Sequence, residues 1–145
     1  TENVYGIVGL AKALEIAYAE LEEQKMQILK LKKHMIDELI KKIPDVQFNG
    51  QCADLDHSLC TVLNVCLPSA GYNEMLLFNL DISGISASGG SACSSGSNIG
   101  SHVLAQLNRD SKRGAVRFSF SKYNTLEEVA YTVETLSKLI TLKNN

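Results

Sequence analysis

The chain has 145 residues, 45% of them hydrophobic, and a formal net charge of −2. That length makes one domain, large enough to bury a core without disulfide or metal staples. The charge balance gives no electrostatic case for nucleic acid or an anionic membrane, and no apolar run approaches the roughly 20 residues of a membrane span.

The first predicted element is helical. From Val4 to Ile43 apolar residues recur at three- and four-residue intervals: Ile7, Val8, Leu10, Ala11, Leu14, Ala17, Tyr18 and Leu21, then Met26, Leu29, Met35, Ile36, Leu39 and Ile40. Pro44 closes the segment. One long helix or two joined near Glu22-Glu23-Gln24 fits this pattern. The polar stretch from Glu20 to Lys33 reads as a solvated face, with a dimerising coiled coil as the alternative, although the heptad is not sustained. Thr1-Glu2-Asn3 runs into this pattern without initiator methionine or leader, as expected of a domain cut from a longer protein.

The texture then changes. Val46 to Gly50 reads as a short strand and turn. Leu59 to Leu67 is a strand ending at Pro68, with Cys60, Val62, Asn64 and Cys66 on one face and Leu59, Thr61, Leu63, Val65 and Leu67 on the other. Asn73 to Leu80 is a short helix, Ile82 to Ser88 a weak strand, Ser101 to Leu107 another short helix and Gly114 to Ser121 another strand. The last helix carries the stripe Leu126, Val129, Ala130, Val133, Leu136 and Ile140, and Thr125 with Glu128 forms a capping box at its start. These elements give one α/β (α+β) domain over 1–145, a short and mostly antiparallel sheet covered on one side by helices.

Four cysteines, at 52, 60, 66 and 93, form neither a C-x-x-C pair nor a disulfide framework. They read as reduced thiols of a cytoplasmic protein, and no metal site is expected. Cys60 and Cys66 are expected to be small buried hydrophobes. Cys93 differs, because it lies in the run Ala87-Ser88-Gly89-Gly90-Ser91-Ala92-Cys93-Ser94-Ser95-Gly96-Ser97, where nothing bulky could bury it. A nucleophilic thiol needs such access, and it also needs a base or positive charge; the nearest is His102. A plain Gly/Ser connector is the bland alternative. A phosphate cradle lacks the Gly-Lys-Ser/Thr ending it would need.

Arg117 interrupts the apolar strand Ala115-Val116-Arg117-Phe118-Ser119-Phe120. Alternation places it with Ala115, Ser119 and Ser121, a face more like the floor of a polar cleft than a core. A guanidinium there is either a two-pronged receptor for a carboxylate or half of a structural ion pair. His34 and His57 read as surface residues.

Ser-Ala-Cys-Ser-Ser-Gly (91–96), Ser-His-Val-Leu (101–104) and Gly-Ala-Val-Arg-Phe-Ser-Phe-Ser-Lys-Tyr-Asn-Thr-Leu-Glu-Glu-Val (114–129) together resemble the C-terminal part of cysteine desulfurases, pyridoxal-phosphate enzymes of the class V aminotransferase group. The opening Thr1 to Leu10 and the strand with Asn64 are similar to the same family in register, so the resemblance covers nearly the whole chain. It implies the small domain of a fold-type I pyridoxal 5'-phosphate enzyme. It also implies that Cys93 is the catalytic cysteine, accepting sulfur from L-cysteine as a persulfide and leaving L-alanine, while Arg117 holds the substrate carboxylate. The length of the segment after Cys93 is similar to that of the long-loop class serving iron–sulfur assembly, which implies a sulfur-acceptor or scaffold protein as partner. Thr1 matches a threonine that reaches the cofactor phosphate of a partner subunit, implying a homodimer. The family's His-Lys pair, whose lysine holds the cofactor, has no counterpart here, so the resemblance implies a fragment inactive alone that binds no cofactor itself. A selenocysteine lyase or other class V enzyme, or a non-catalytic interaction domain, are the competing readings.

Overall fold

A computed structural model describes residues 1–69, 75–89, 102–107 and 113–141. The helical N-terminal segment is two helices, α1 (Val4–Ala19) and α2 (Leu21–Lys42), which break at Glu20. The break lies just before the expected Glu22–Gln24 junction. Glu20 is held by its own neighbours: its carboxylate accepts from Gln24 Nε2 at 2.6 Å and from Lys122 Nζ at 2.6 Å. That pair joins the helix break to the loop before the last helix.

The two helices differ in what they bury. α2 packs Ile28, Leu31, Met35, Ile36 and Leu39 into the core; Met35, Ile36 and Leu39 belong to the expected stripe, while Met26 and Ile40 are left exposed. Nor is the stretch to Lys33 a wholly solvated face. Lys32 is 0% exposed, and its amino group donates to Ser58 Oγ at 2.9 Å and Leu59 O at 2.8 Å. A buried ammonium is tolerable only with such partners. By contrast α1 buries nothing: Tyr5 is 93% exposed and Leu10 71%, so the stripe expected to join the core does not reach it.

The sheet has three antiparallel strands in the order β1 (Gln47–Phe48), β2 (Val62–Ser69), β3 (Arg113–Ser119). Leu63, Val65 and Leu67 of β2 and Val116 and Phe118 of β3 turn to one side, where α2 and α5 (Leu126–Thr141) cover them. From α5 come Val129, Val133, Leu136 and Ile140. The predicted capping box is present, with Glu128 N donating to Thr125 Oγ1 at 3.2 Å and Thr125 N to Glu128 Oε2 at 3.1 Å. Of the two cysteines expected inside, Cys66 is buried and Cys60 half-buried.

Arg113 fastens the start of β3 to the turn after α2. Its guanidinium, 10% exposed, pairs with Asp45 Oδ2 at 2.7 Å and donates from Nε to Cys66 Sγ at 3.2 Å. Asp45 adopts φ 58°, a left-handed conformation that an L-residue pays for and that this pairing helps to hold.

Residues 82–88 depart from expectation. Ile82 ends α3 (Leu76–Ile82), and Gly84 at φ 74° follows. Ile85 N donates to Leu80 O and Gly84 N to Asp81 O, both at 2.9 Å, which is a Schellman cap. The segment is therefore a helix exit, and its strand character shrinks to a single antiparallel bridge between Ser88 and Arg117. α4 (His102–Leu107) completes the described elements.

Candidate carboxylate site on the polar face of the sheet

Arg117 stands on the face of β3 away from the core, between half-buried Ala115 and exposed Ser119, as alternation predicts. It is held on both edges. On one, Ser88 N donates to Arg117 O at 3.1 Å and Arg117 N to Ser88 O at 2.6 Å. On the other, Arg117 lies opposite Asn64 of β2. Its side chain is held as well, since Nε donates to Ser88 Oγ at 3.0 Å. That bond occupies the inner nitrogen and leaves the two Nη groups, the fork that grips a carboxylate, with no partner among the described residues.

Among the described residues no carboxylate pairs with Arg117, which favours the receptor reading over the structural ion pair. The guanidinium instead opens on a cleft of about 170 Å³ lined by Asn64, Ser88, Gly89, Val103, Leu104, Ala115 and itself. Gly89 allows this close fit. A Cβ there would lie 3.0 Å from Leu77 Cδ1 and 3.2 Å from the Ala115 carbonyl oxygen. A side chain there would make Leu77 or the segment after Ile85 give way by a few tenths of an ångström.

Two neighbours of Arg117 carry more weight than the sequence assigned them. Alternation sets Asn64 on one face with Cys60, Val62 and Cys66, without a role. Ser88 was the end of a weak strand, and nothing in a linear reading shows that it meets an arginine nearly thirty positions later. Thr1 lies exposed at the chain end. Cys93 lies outside the described residues, as does the side chain of His102.

The residues present do not fit an anchor for pyridoxal phosphate. That group needs a lysine amine in its pocket and an acid for its ring nitrogen. Among the described residues no lysine and no acid lines the cleft, and the buried Lys32 is committed to Ser58 and Leu59. What the cleft offers, among the described residues, is a guanidinium with two unpaired Nη groups.

Comparison with known proteins places the chain in a family. The family model described as aminotransferase class-V matches residues 1–132. A cysteine desulfurase IscS of Dictyoglomus turgidum is 36% identical over 142 residues, covering 97% of this chain and 35% of the relative. One of Methanosarcina thermophila is 39% identical over 142 residues, covering 97% and 34%. Among solved structures, a NifS-like protein superimposes with a TM-score of 0.75 at 31% identity, covering 98% of this chain and 35% of that one. A NifS-like protein from Rickettsia africae gives 0.73 at 23% identity, a likeness of fold. The chain thus spans about 35% of the length of these relatives. It belongs to the aminotransferase class-V family.

Proposed function

We propose that this chain is the small domain of a cysteine desulfurase, and that it supplies the substrate clamp and the sulfur-accepting thiol of a longer protein. The observation that carries the reading is the guanidinium of Arg117, anchored through Nε and, among the described residues, open through both Nη groups and facing a cleft lined by no acid. L-Cysteine presents the carboxylate such a fork recognises. Pyridoxal phosphate, held by the rest of the longer protein, would supply the electron sink for breaking the carbon–sulfur bond.

In this reading the thiol of Cys93 takes the sulfur. Its thiolate forms the new sulfur–sulfur bond as the carbon–sulfur bond of the substrate breaks; the electron pair of that bond stays with the substrate carbon, which takes up a proton, so L-cysteine leaves as L-alanine and Cys93 becomes a persulfide. The glycines around Cys93 suit a thiol that must meet first the substrate and then an acceptor, which we take to be an iron–sulfur scaffold protein in the cytoplasm. The uncovered apolar face of α1 suits packing against the remainder of the longer protein or its dimer partner. Thr1, three residues before that helix, is proposed to reach the cofactor phosphate of the partner subunit.

Steady-state kinetics of the full-length protein test the clamp. Arg117→Ala removes both prongs, and two hydrogen bonds to a charged group correspond to a rise in KM for L-cysteine of about a hundredfold. Arg117→Lys keeps the charge but not the fork and should recover only part of the loss. An unchanged KM in both variants would remove Arg117 from the carboxylate role.

A further inference from the structure

The cross-strand pair Asn64–Arg117 has a geometry that alternation alone does not reveal. Both backbone groups of Arg117 go to Ser88. Those of Asn64 go the opposite way: its carbonyl accepts from Asn49 N at 2.9 Å, and its N–H donates to Cys52 Sγ at 3.3 Å. The two residues therefore face each other as a non-hydrogen-bonded pair, the arrangement that brings side chains nearest on one sheet face. Both side chains line the same cleft.

The amide of Asn64 is also fixed in orientation. Its Oδ1 accepts from Asn49 Nδ2 at 2.8 Å, and Asn49 is only 7% exposed. Turning the Asn64 amide over would set two NH2 groups against each other in a place with little water to compensate. With Oδ1 committed towards β1, Nδ2 is the amide atom left for the cleft.

We propose that Asn64 is a second carboxylate-binding residue, donating from Nδ2 beside the Nη groups of Arg117, and that Asn49 is the positioning residue that sets its amide. This rests on the reading of Arg117 as the substrate clamp. The cleft then shows an anion donors on both strands, one charged and one neutral. Ser88 orients the first and Asn49 the second. Val103 and Leu104 also line the cleft. A neutral donor beside a cation adds a direction that charge alone lacks, which favours a planar carboxylate over other anions.

The test uses the full-length protein with L-cysteine as substrate and acetate as competitor, acetamide being its uncharged isostere. Asn64→Ala should raise KM and weaken acetate inhibition by about tenfold or more, with kcat held within roughly threefold. Asn64→Asp keeps the shape and the Asn49 bond but turns an acceptor charge into the cleft, so it should weaken both further. This isosteric variant carries the test if the alanine variant fails to fold. Asn49→Ala should shift KM and acetate inhibition in the same direction by less, and acetamide inhibition should change in none of them. If both Asn64 variants keep wild-type KM and acetate inhibition while Arg117→Ala loses them, the role of Asn64 is overturned and the clamp stands. If Arg117→Ala also keeps them, the clamp itself falls.

Discussion

Replacing Lys32 by methionine separates the two halves of a buried lysine, its stem and its charge. The side chain is 0% exposed and its amino group holds Ser58 Oγ and Leu59 O. Each hydrogen bond from a charged group contributes about 1.5–3 kcal/mol, while removing an ammonium from water costs several kcal/mol, so the two nearly offset. Lys32→Met keeps the packing and removes both, and should change stability at neutral pH by no more than about 2 kcal/mol. Lys32→Ala also empties the space of the stem and should cost about 2–5 kcal/mol. The pH dependence is the stricter readout. Burial, opposed by the nearby thiols of Cys52 and Cys60 and by Asp54, holds the Lys32 pKa below its ordinary value. Between the lowered folded pKa and the unfolded one, the unfolded chain binds the extra proton, so this group makes stability rise with pH. Urea unfolding of wild type and Lys32→Met from about pH 8 to about pH 10 should show the wild type gaining on the variant. Parallel profiles, or an alanine variant as mild as the methionine one, would refute the reasoning.

The contrast between helices gives a second expectation for the chain itself. Leu136→Ala, at a site 0% exposed, should cost about 2–5 kcal/mol in chemical denaturation. Leu10→Ala, at a site 71% exposed, should stay within about 0.5 kcal/mol here. In the full-length protein Leu10→Ala should lower the melting temperature if α1 packs as proposed, and an unchanged value there would show the face to be uncovered. The Arg113–Asp45 pair gives an acid signature. Arg113, by hydrogen bond and by charge, holds the Asp45 carboxyl below its usual value. Its contribution is therefore present above the unfolded aspartate pKa and is lost as pH falls through the folded one. Asp45→Asn should flatten the acid limb of the stability profile, and an unaltered limb would show that the pair contributes nothing.

Much of the fold was legible because strand alternation is a strict code. Alternation separates Val116 and Phe118 from Arg117, and Leu63 and Val65 from Asn64, but it does not say which face of β2 is buried, and Cys66 on the Asn64 side is buried too. The cap of α5 was legible from Thr125 and Glu128 alone, because its bonds are local. Helix periodicity is looser. It gave α1 a core-like stripe, yet an apolar stripe records only that something covers it, not that the covering lies in the same 145 residues. The polarity of Lys32 hid its burial, because the partners that make it tolerable lie in the loop before β2. At 82–88 the Ser83-Gly84 pair was the missed signal, a helix exit with glycine where φ turns positive. The site followed the same division. Its cation was visible, but Ser88 and Asn49, which orient the donors, depend on strand registers that no linear pattern states.

The central claim is tested most directly at Cys93. The full-length protein, loaded with pyridoxal phosphate and incubated with L-cysteine, should release L-alanine and carry one additional sulfur atom on the peptide containing Cys93 by mass spectrometry. Cys93→Ala should carry none. A persulfide that persists in Cys93→Ala, or alanine release that proceeds with Cys93 unmodified, would contradict the account.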